Sequence, residues 1–565
     1  MATVTHERVS TGRGFELVLL VLAVGLGIFA YIQVGLAMNE QVPVNILMHS
    51  GVFTALAVLV HLLVRWKAPY ADPVILPTAV ALTGIGLAAI YRLDLSYAAR
   101  GQASGFAPRQ LVWMLLGMVA ATVVVWLFRD HRIMKRYTYL FLIAGLGLLL
   151  LPLVPGLGRT INGSRIWIGI GDLVSFQPGE LAKICLAIFF AGYLVDARDN
   201  LALAGPRVLG VQLPRLRDLG PILVAWAMAV FVLVFQRDLG TSLLFFGFFV
   251  AMLYVATERV SWIVLGLGLF AAGAFAAAQA FPHVMARVDV WLHALEPEMY
   301  ERSPGGSYQV VQGLFGMANG GLFGTGWGEG YPYLVPYANS DFIWATLGEE
   351  LGLTGLLAVL AMYLVFTERG IRTGIGVRDG FGKLLCGGLA FVVAFQCFVV
   401  IGGVTRLIPL TGLTLPFMAH GGSSLISNWI IVGLLLRISN EAREPAPEPA
   451  PLTTDVLDAV LAPRGGRGRR GVAAPSAGTP EVGPELGLDG EPELEPWETG
   501  GLGRALGLGA GAWAGPVPAG GQELAPDVAP PEHRTAEHEV VRGEGSDGRG
   551  AGSVQWRRLE DGGER

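Results

Sequence analysis

Four clusters of polar and ionisable residues interrupt long apolar stretches, and they contain the side chains that could do chemistry. An ionisable residue inside or at the edge of a membrane segment is costly, so function is its default explanation. The clusters are NGSRIWIGIGDLVSFQPGELAK (162–183), QRDLGTS (236–242), the run from SYQVVQ to SDFIWATLGEELGLTG (307–355) and GGVTRLIPLTGLTLPFMAHGGSSLISN (402–428).

Three carboxylates of these clusters have a structural explanation beside the functional one, whereas the adjacent Glu349 and Glu350 are hard to explain as solvated surface. Asp341 stands where a long polar loop meets an apolar block, and Asp238 opens another block, so either residue could cap a helix. Pro178 suits a first helical turn, which places Glu180 and Lys183 three residues apart on one face. That pair could simply neutralise itself. The alternative explanation is that Asp341, Asp238, Glu180 and Lys183 line a polar cavity.

Cations accompany these carboxylates. Arg165, Arg287 and Arg406 fall in the same clusters or the same long loop. Together with Lys183 they indicate a wet, mixed-charge pocket that favours an anionic ligand such as a pyrophosphate. The glycine-rich run MANGGLFGTGWGEG (317–330) matches no nucleotide motif, and a flexible loop is the better prediction for it. The residues alone therefore indicate a membrane enzyme or transporter that acts on an anionic amphiphile.

The elements that must position these residues are membrane helices. The chain has 565 residues, of which 53% are hydrophobic and 15% charged, so it is far more apolar than a soluble protein of this length. A bilayer core needs about 20 apolar residues per helix. We therefore predict an all-α polytopic membrane protein of about twelve transmembrane helices, near 15–37, 44–65, 73–91, 110–128, 138–153, 178–196, 218–235, 238–257, 261–280, 342–366, 381–402 and 411–437.

Lys and Arg are unevenly shared between alternate connections, and this bias sets orientation because positive residues stay cytoplasmic. The richer set is Arg8, Arg13, Arg65, Lys67, Arg129, Arg132, Lys135, Arg136, Arg198, Arg207, Arg215, Arg217, Arg259, Arg369, Arg372, Arg378, Lys383, Arg437 and Arg443. The poorer set is Arg92, Arg100, Arg109, Arg159, Arg165, Arg237, Arg287, Arg302 and Arg406. We therefore expect a multi-pass plasma-membrane protein with both termini cytoplasmic and all four clusters on the outer face.

Three regions follow from this pattern. Residues 1–72 hold two transmembrane helices, residues 73–440 hold the other ten, and residues 441–565 are rich in Pro, Gly and Glu with no apolar periodicity. Such a tail buries too little apolar surface to offset its chain entropy. It is predicted to be a disordered cytoplasmic tail.

The clusters resemble the SEDS family (shape, elongation, division and sporulation), whose members include RodA, FtsW and SpoVE. The resemblance rests on NGSRIWI (162–168), FQPGELAK (176–183), QRDLGT (236–241), SYQVVQ through GLFGTG (307–326), SDFIWATLGEELGLTG (340–355) and LTGLTLPFMAHGGSS (410–424), in that order. It covers about residues 73–437. The two added N-terminal helices make the chain most similar to a RodA. The chain departs from the family at Gly179, Arg237 and MAHGG (418–422), where QPSE, QPDLGT and SYGG are usual.

The resemblance implies a ten-helix core that works as a peptidoglycan glycosyltransferase. Such an enzyme polymerises lipid II into β-1,4 glycan on the extracytoplasmic face and releases undecaprenyl diphosphate, for elongation, cell shape or division. Asp341 matches the essential aspartate of the family, and a carboxylate there can act as general base. The residues expected to bind substrate are Glu180, Lys183, Asp238, Arg165, Arg287, Gln312, Arg406, Ser423 and Ser424.

The resemblance also implies partners. They are lipid II, the lipid bilayer and a cognate class B penicillin-binding protein, a transpeptidase; no nucleic acid is expected. No cofactor is certain, and a divalent cation, Mg²⁺ or Mn²⁺, is an option for the leaving diphosphate, although no metal ligands are assigned. Two alternatives stay open: a lipid II flippase, and a non-catalytic scaffold for the penicillin-binding protein.

Overall fold

The protein folds as a bundle of membrane helices joined by short strands and irregular loops. The computed structural model describes residues 11–102, 105–161, 163–170, 174–202, 204–208, 211–214, 220–303 and 305–445. The helices are α1 Arg13–Asn39, α2 Ile46–Lys67, α3 Ile75–Ala98, α4 Phe106–Leu127, α5 Arg132–Arg136, α6 Thr138–Leu150, α7 Pro178–Ala202, α8 Gly220–Phe231, α9 Leu239–Thr257, α10 Val260–Ala280, α11 Pro282–Leu292, α12 Pro297–Glu301, α13 Tyr308–Gly320, α14 Ile343–Gly376, α15 Gly380–Val404 and α16 Gly422–Arg443. The predicted tail falls almost wholly outside the described residues, as do Arg8, Arg215 and Arg217.

All twelve predicted apolar blocks contain a helix. Within the described residues, nine helices are long and apolar enough to cross a membrane. The other three blocks hold α6, α7 and α8, where α6 has 13 residues, α8 has 12 and α7 has 25. A π-helical turn at Val232–Gln236 extends α8. The protein is a multi-pass membrane protein, and the prediction of a helical polytopic fold is confirmed.

The described residues also include short strands that the all-α prediction did not contain. Strands β1 Gly158–Ile161, β2 Ser164–Ile170 and β3 Val174–Phe176 form an antiparallel sheet between α6 and α7. Strands β4 Ala204–Val208 and β5 Val211–Pro214 form a second antiparallel pair between α7 and α8. Alternation of polar and β-branched residues in GRTI and SRIWIGI was the available signal for the first sheet.

Burial separates the central helices from the peripheral ones. In the most apolar window of α3, 94% of the residues are buried, against 22% in that of α10. Helix α16 is also central, at 78%. Exposed apolar side chains on α1 and α2, among them Phe15 and Leu22, face outward where lipid would cover them. Because α3 and α16 are buried on all sides, polar residues on them must be satisfied within the protein.

Helix α14 is interrupted at Gly352, whose φ of 67° and ψ of −171° are non-helical. The amides of Leu353 and Thr354 bond to the carbonyls of Gly321 and Leu322, at 2.9 and 3.0 Å. The carbonyls of Glu349 and Glu350, freed by the break, accept from the amides of Thr325 and Gly326, at 2.9 and 3.0 Å. The glycine-rich run is therefore inserted into the break by backbone pairing.

Glycine is required at two places in this insertion. A Cβ at Gly324, where φ is 82°, would lie 2.2 Å from the carbonyl oxygen of Glu350. A Cβ on Gly352 would lie 2.2 Å from the amide nitrogen of Gly324. Only residues without a side chain let the two backbones approach this closely.

The last predicted span, 411–437, differs from the structure at its start. Helix α16 begins at Gly422, and residues 405–421, which we call the 405–421 segment, form an irregular connection between the end of α15 and the start of α16. Pro409 and Pro416 cannot donate backbone hydrogen bonds, and Gly412 has a positive φ of 77°. Irregular backbone at membrane depth occurs where it is buried in protein or lines a cavity, so this segment marks where a site should be sought.

Candidate functional site

The 405–421 segment is the backbone around which the site is built. Its carbonyl at Leu410 accepts from Arg287 of α11, 2.6 Å away. Its carbonyl at Thr414 accepts from Gln396 of α15, 2.9 Å away. Its amide at His420 donates to the carbonyl of Asn339, two residues before Asp341, at 2.7 Å. The segment thus brings α11, α15 and the loop before α14 to one end of the bundle, which we call the Asp341 end.

Asp341 is buried at this end, with 8% of its surface exposed. It is not the N-cap of α14, because that position is Phe342. Burial raises the pKa of Asp341 to about 7, although the backbone amides of Asp341 and Phe342 and the charge of Arg287 oppose the rise. A carboxylate with a pKa near neutrality is suited to take up a proton as a general base.

Arg287 supplies positive charge to both aspartates of the site. Its attraction lowers the pKa values of Asp238 and Asp341, which burial raises in both cases. Its guanidinium also lies near Gly412, where an added Cβ would come within 3.9 Å of a terminal nitrogen. The bond to Leu410 therefore holds a cation whose charge acts on two buried carboxylates.

Asp238 has the capping role that the sequence offered as the structural explanation. It is the N-cap of α9 and accepts from the Thr241 amide at 3.0 Å and from the Thr241 hydroxyl at 2.5 Å. It is 6% exposed. Its placement beside Arg287 makes it a wall of the site as well as a cap.

Glu180 and Lys183 form a buried ion pair of 2.6 Å near the start of α7. The ammonium of Lys183 also donates to Gln396 at 3.0 Å and to Asn428 at 3.1 Å. The Ser427 hydroxyl donates to the Glu180 carbonyl at 2.7 Å. Lys183 is 1% exposed, so this pair joins α7, α15 and α16 and is largely satisfied within the protein.

Arg165 and Arg406 are tied to backbone carbonyls. Arg165 of β2 donates to Pro152 at 3.1 Å. Arg406 donates to Trp291 at 2.9 Å, and the Trp291 indole donates back to the Arg406 carbonyl at 3.0 Å. Arg406 therefore fastens the end of α11, and with it Arg287, to the 405–421 segment.

The three polar residues expected to contact substrate also have protein partners. Gln312 of α13 donates to the Tyr300 hydroxyl at 2.8 Å. The Ser423 hydroxyl accepts from the Gln177 amide at 2.7 Å, and that of Ser424 accepts from Asn428 at 3.3 Å. Ser423 thus docks the start of α16 against the residue before α7, while the bond of Ser424 lies within α16. The role of both serines in substrate binding stays a prediction.

An apolar cavity of about 340 Å³ adjoins this site. Its walls come from α8, α9, α10, α11, α15 and the 405–421 segment, and include Phe246, Phe270 and Phe398. Val284 and Val288, either side of Arg287 on α11, also line it. Leu239 and Thr411 do so beside Asp238 and Leu410. A cluster of charged side chains and an apolar cavity that share α11 suit a ligand with a polar head and a hydrocarbon tail.

Several residues of the site were not singled out from the sequence. Gln396 and Asn428 hold the Glu180–Lys183 pair, and a lone amide inside an apolar run was the signal for each. Gln110 of α4 donates to the Ala419 carbonyl at 3.1 Å and its oxygen lies 3.2 Å from Nδ1 of His420.

Of the residues that the structure describes, those at the Asp341 end do not form a ready-made set of metal ligands. Among the described residues, one group of at least three side chains could hold an ion: Asp130, His131 and Glu441. It lies on the connection after α4 and near the end of α16. Both His131 ring nitrogens already face carboxylates, Glu441 at 2.7 Å and Asp379 at 2.9 Å. No ligands are assigned to the optional divalent cation, which stays a prediction.

Comparison with known proteins places this site in a family. The family model for FtsW, RodA and SpoVE, described as a cell cycle protein, matches residues 73–444. The chain belongs to this family. The prediction of a SEDS protein is thereby confirmed, and the matched residues include Asp341, Arg287 and the 405–421 segment.

Curated relatives and one solved structure agree with this assignment. The peptidoglycan glycosyltransferase RodA of Mycobacterium tuberculosis is 46% identical over 437 residues, which cover 77% of this chain and 92% of the relative. Stage V sporulation protein E of Bacillus subtilis is 33% identical over 341 residues, 60% of this chain and 88% of the relative. A chain from a solved peptidoglycan synthase complex that coordinates polymerisation and cross-linking superposes with a TM-score of 0.51 at 26% identity, covering 66% of this chain and 99% of that one.

Proposed function

We propose that the protein is a peptidoglycan glycosyltransferase that polymerises lipid II. The observation that carries the proposal is the buried Asp341 carboxylate, with a pKa of about 7, beside Arg287 and next to an apolar cavity. Membership of a family whose curated relatives are named peptidoglycan glycosyltransferases supports it. Lipid II has both parts that this site can hold, a diphosphate-linked sugar head and a polyprenyl tail.

The reaction assigns one task to each group. The 4-hydroxyl of the acceptor GlcNAc attacks C1 of the donor MurNAc, so that an O4–C1 bond forms as the C1–phosphate oxygen bond breaks. Asp341 takes the hydroxyl proton. Arg287 stabilises the negative charge that develops on the departing undecaprenyl diphosphate. Attack opposite to the leaving group inverts C1 and yields a β-1,4 linkage.

The orientation of the protein follows from its charged ends. Arg437 donates to the carbonyls of Lys67 and Arg129, so three basic residues of the richer set meet at the end opposite to Asp341. Positive residues stay in the cytoplasm. We place this end and both termini in the cytoplasm, and the Asp341 end outside the plasma membrane, where lipid II is polymerised.

A class B penicillin-binding protein is the proposed partner. It would cross-link the glycan that this chain makes. The likeness to a chain of a peptidoglycan synthase complex supports an assembly of this type.

Purified protein in detergent, incubated with labelled lipid II, is expected to yield a ladder of glycan chains on a gel. The flippase alternative predicts movement of lipid II across proteoliposomes with no ladder, and the scaffold alternative predicts neither. A ladder without the penicillin-binding protein would eliminate the scaffold. Transport without polymerisation would overturn the proposal in favour of the flippase.

Filling the apolar cavity should weaken the binding of long-chain lipid II. Ala274 lines the cavity from α10 and is exposed, so Ala274→Trp can enter it without disturbing the packed core. We expect KM to rise about tenfold with kcat little changed, because lost tail contacts worth about 1.4 kcal/mol weaken binding by that factor. Ala272→Trp, on the same helix outside the cavity lining, is the matched control.

A lipid II analogue with a short prenyl chain separates this effect from a general one. Its KM should be equal for wild type and Ala274→Trp, since it has no tail to place in the cavity. Equal KM values for long-chain lipid II in the two proteins would show that the tail lies elsewhere.

A further inference from the structure

Arg92 of α3 is a buried cation that the proposed reaction does not use. It is 2% exposed, and its Nε donates to Oε1 of Glu350 at 2.6 Å. One terminal nitrogen donates to the carbonyls of Gly328 and Gly330, at 2.9 and 2.8 Å, and the other donates to Ser96. A guanidinium holds such a forked arrangement because its donors are fixed in one plane.

These bonds join the two ends of the segment that carries Asp341. Gly330 precedes Asp341 by eleven residues, and Glu350 follows it by nine. Arg92 binds both ends at once. Glu350 is also where the glycine-rich run inserts into α14, since its carbonyl accepts from Gly326 at 3.0 Å. The two ends of the segment therefore meet at one guanidinium.

The N-terminal helix α1 contacts the neighbour of Arg92 in α3 and the loop that Arg92 binds. Tyr31 of α1 stacks on Tyr91, the neighbour of Arg92, with ring centroids 4.1 Å apart. At the end of α1, Ala37 lies so close to Gly328 that a Cβ on this glycine would be 2.6 Å from that of Ala37. Residues outside the family region thus contact the same loop whose carbonyls Arg92 holds.

We propose that Arg92 is a positioning residue for glycan polymerisation, which clamps both ends of the segment 330–350 and so holds Asp341 in its buried place. This inference rests on the proposed function. A displacement of about 1 Å at a reacting group can cost about 10²-fold in rate, so a clamp remote from the chemistry can govern turnover.

Three substitutions test the clamp in the full-length protein. Arg92→Met removes it but leaves Glu350 buried without its cation, which can unfold the chain. The double substitution Arg92→Met/Glu350→Met removes both charges, so no unpaired charge is left in the core. Arg92→Lys keeps the charge but loses the fork. Thermal unfolding and polymerisation per folded molecule are measured for each.

The matched control is Arg13→Met in α1. Arg13 is 5% exposed, pairs with Glu16 and donates to the Ala71 carbonyl, so it has the same type of buried contacts on a part of the chain remote from Asp341. Its loss should lower stability and leave kcat per folded molecule unchanged.

For the double variant we expect kcat to fall about 10²-fold with KM for lipid II within about twofold, and an intermediate kcat for Arg92→Lys. Water that reaches a loosened Asp341 should lower its pKa from about 7, so the acid limb of the kcat profile should move to lower pH. A double variant with the kcat and pH limb of Arg13→Met would overturn the clamp. If Asp341→Asn were fully active, the proposed function itself would fail instead.

Discussion

Asp341→Asn should reduce polymerisation of lipid II by about 10²- to 10⁴-fold, the range by which a positioned general base accelerates a reaction. Asparagine has nearly the same shape and keeps a carbonyl oxygen to accept from the amides of Asp341 and Phe342, but it cannot take up a proton. Binding of lipid II should stay within a few-fold of wild type. The measurement is the rate of ladder formation with purified protein at saturating substrate.

Asp94→Asn is the control for this substitution. Asp94 accepts from the amides of Phe106 and Ala107, at 2.8 and 2.6 Å, and so caps the start of α4 at the Asp341 end. Asparagine keeps an acceptor for one of these two amides, so the loss of the other bond should lower stability without reaching the reaction. Its polymerisation rate should match wild type. Equal ladders from Asp341→Asn and wild type would show that Asp341 is not the general base.

Arg287→Met should lower kcat by about 10²- to 10³-fold, the usual cost of one group that stabilises charge in the transition state. It should also move the pH profile. Arg287 lowers the pKa of Asp341, so without it this pKa rises above about 7. The base is ionised only above its pKa, and the acid limb of the profile should therefore shift to higher pH.

The direction of that shift distinguishes Arg287 from Arg92, whose loss is expected to move the limb to lower pH. Arg287→Lys should recover part of the rate, because the charge remains although the bond to Leu410 weakens. Arg302→Met, an exposed arginine in the same long loop, is the control and should behave as wild type. A reduced kcat at Arg287→Met with an unmoved limb would place the cation away from Asp341.

Two of the expected substrate-binding residues, Lys183 and Arg406, contact protein groups in the structure. Lys183 was considered as a cation for the departing diphosphate, yet its ammonium is surrounded by Glu180, Gln396 and Asn428. Arg406 was another candidate, and it is bound to Trp291. Arg287 is the member of that set whose charge reaches both aspartates. Arg287 is therefore the cation expected to stabilise the departing diphosphate.

The glycine-rich run shows how composition alone can mislead. Many glycines in MANGGLFGTGWGEG favoured a flexible loop, because glycine permits many backbone conformations. In the structure, the same glycines let the loop pair with the broken α14, and a side chain at Gly324 or Gly352 would collide with the backbone it approaches. Close approach to a distant helix leaves no local signal beyond the glycines themselves.

By itself, the sequence determined which blocks of the chain form apolar helices, because a bilayer core of about 30 Å imposes length and composition on each span. It also determined the family, through the ordered motifs around Asp238 and Asp341. The tertiary structure decided which ionisable residues meet. Asp341, Asp238 and Arg287 lie far apart in sequence and come together through the 405–421 segment, while Arg92 reaches Glu350 across 258 positions. Contacts between distant helices depend on packing. Local residue patterns do not show which residues of two helices will meet.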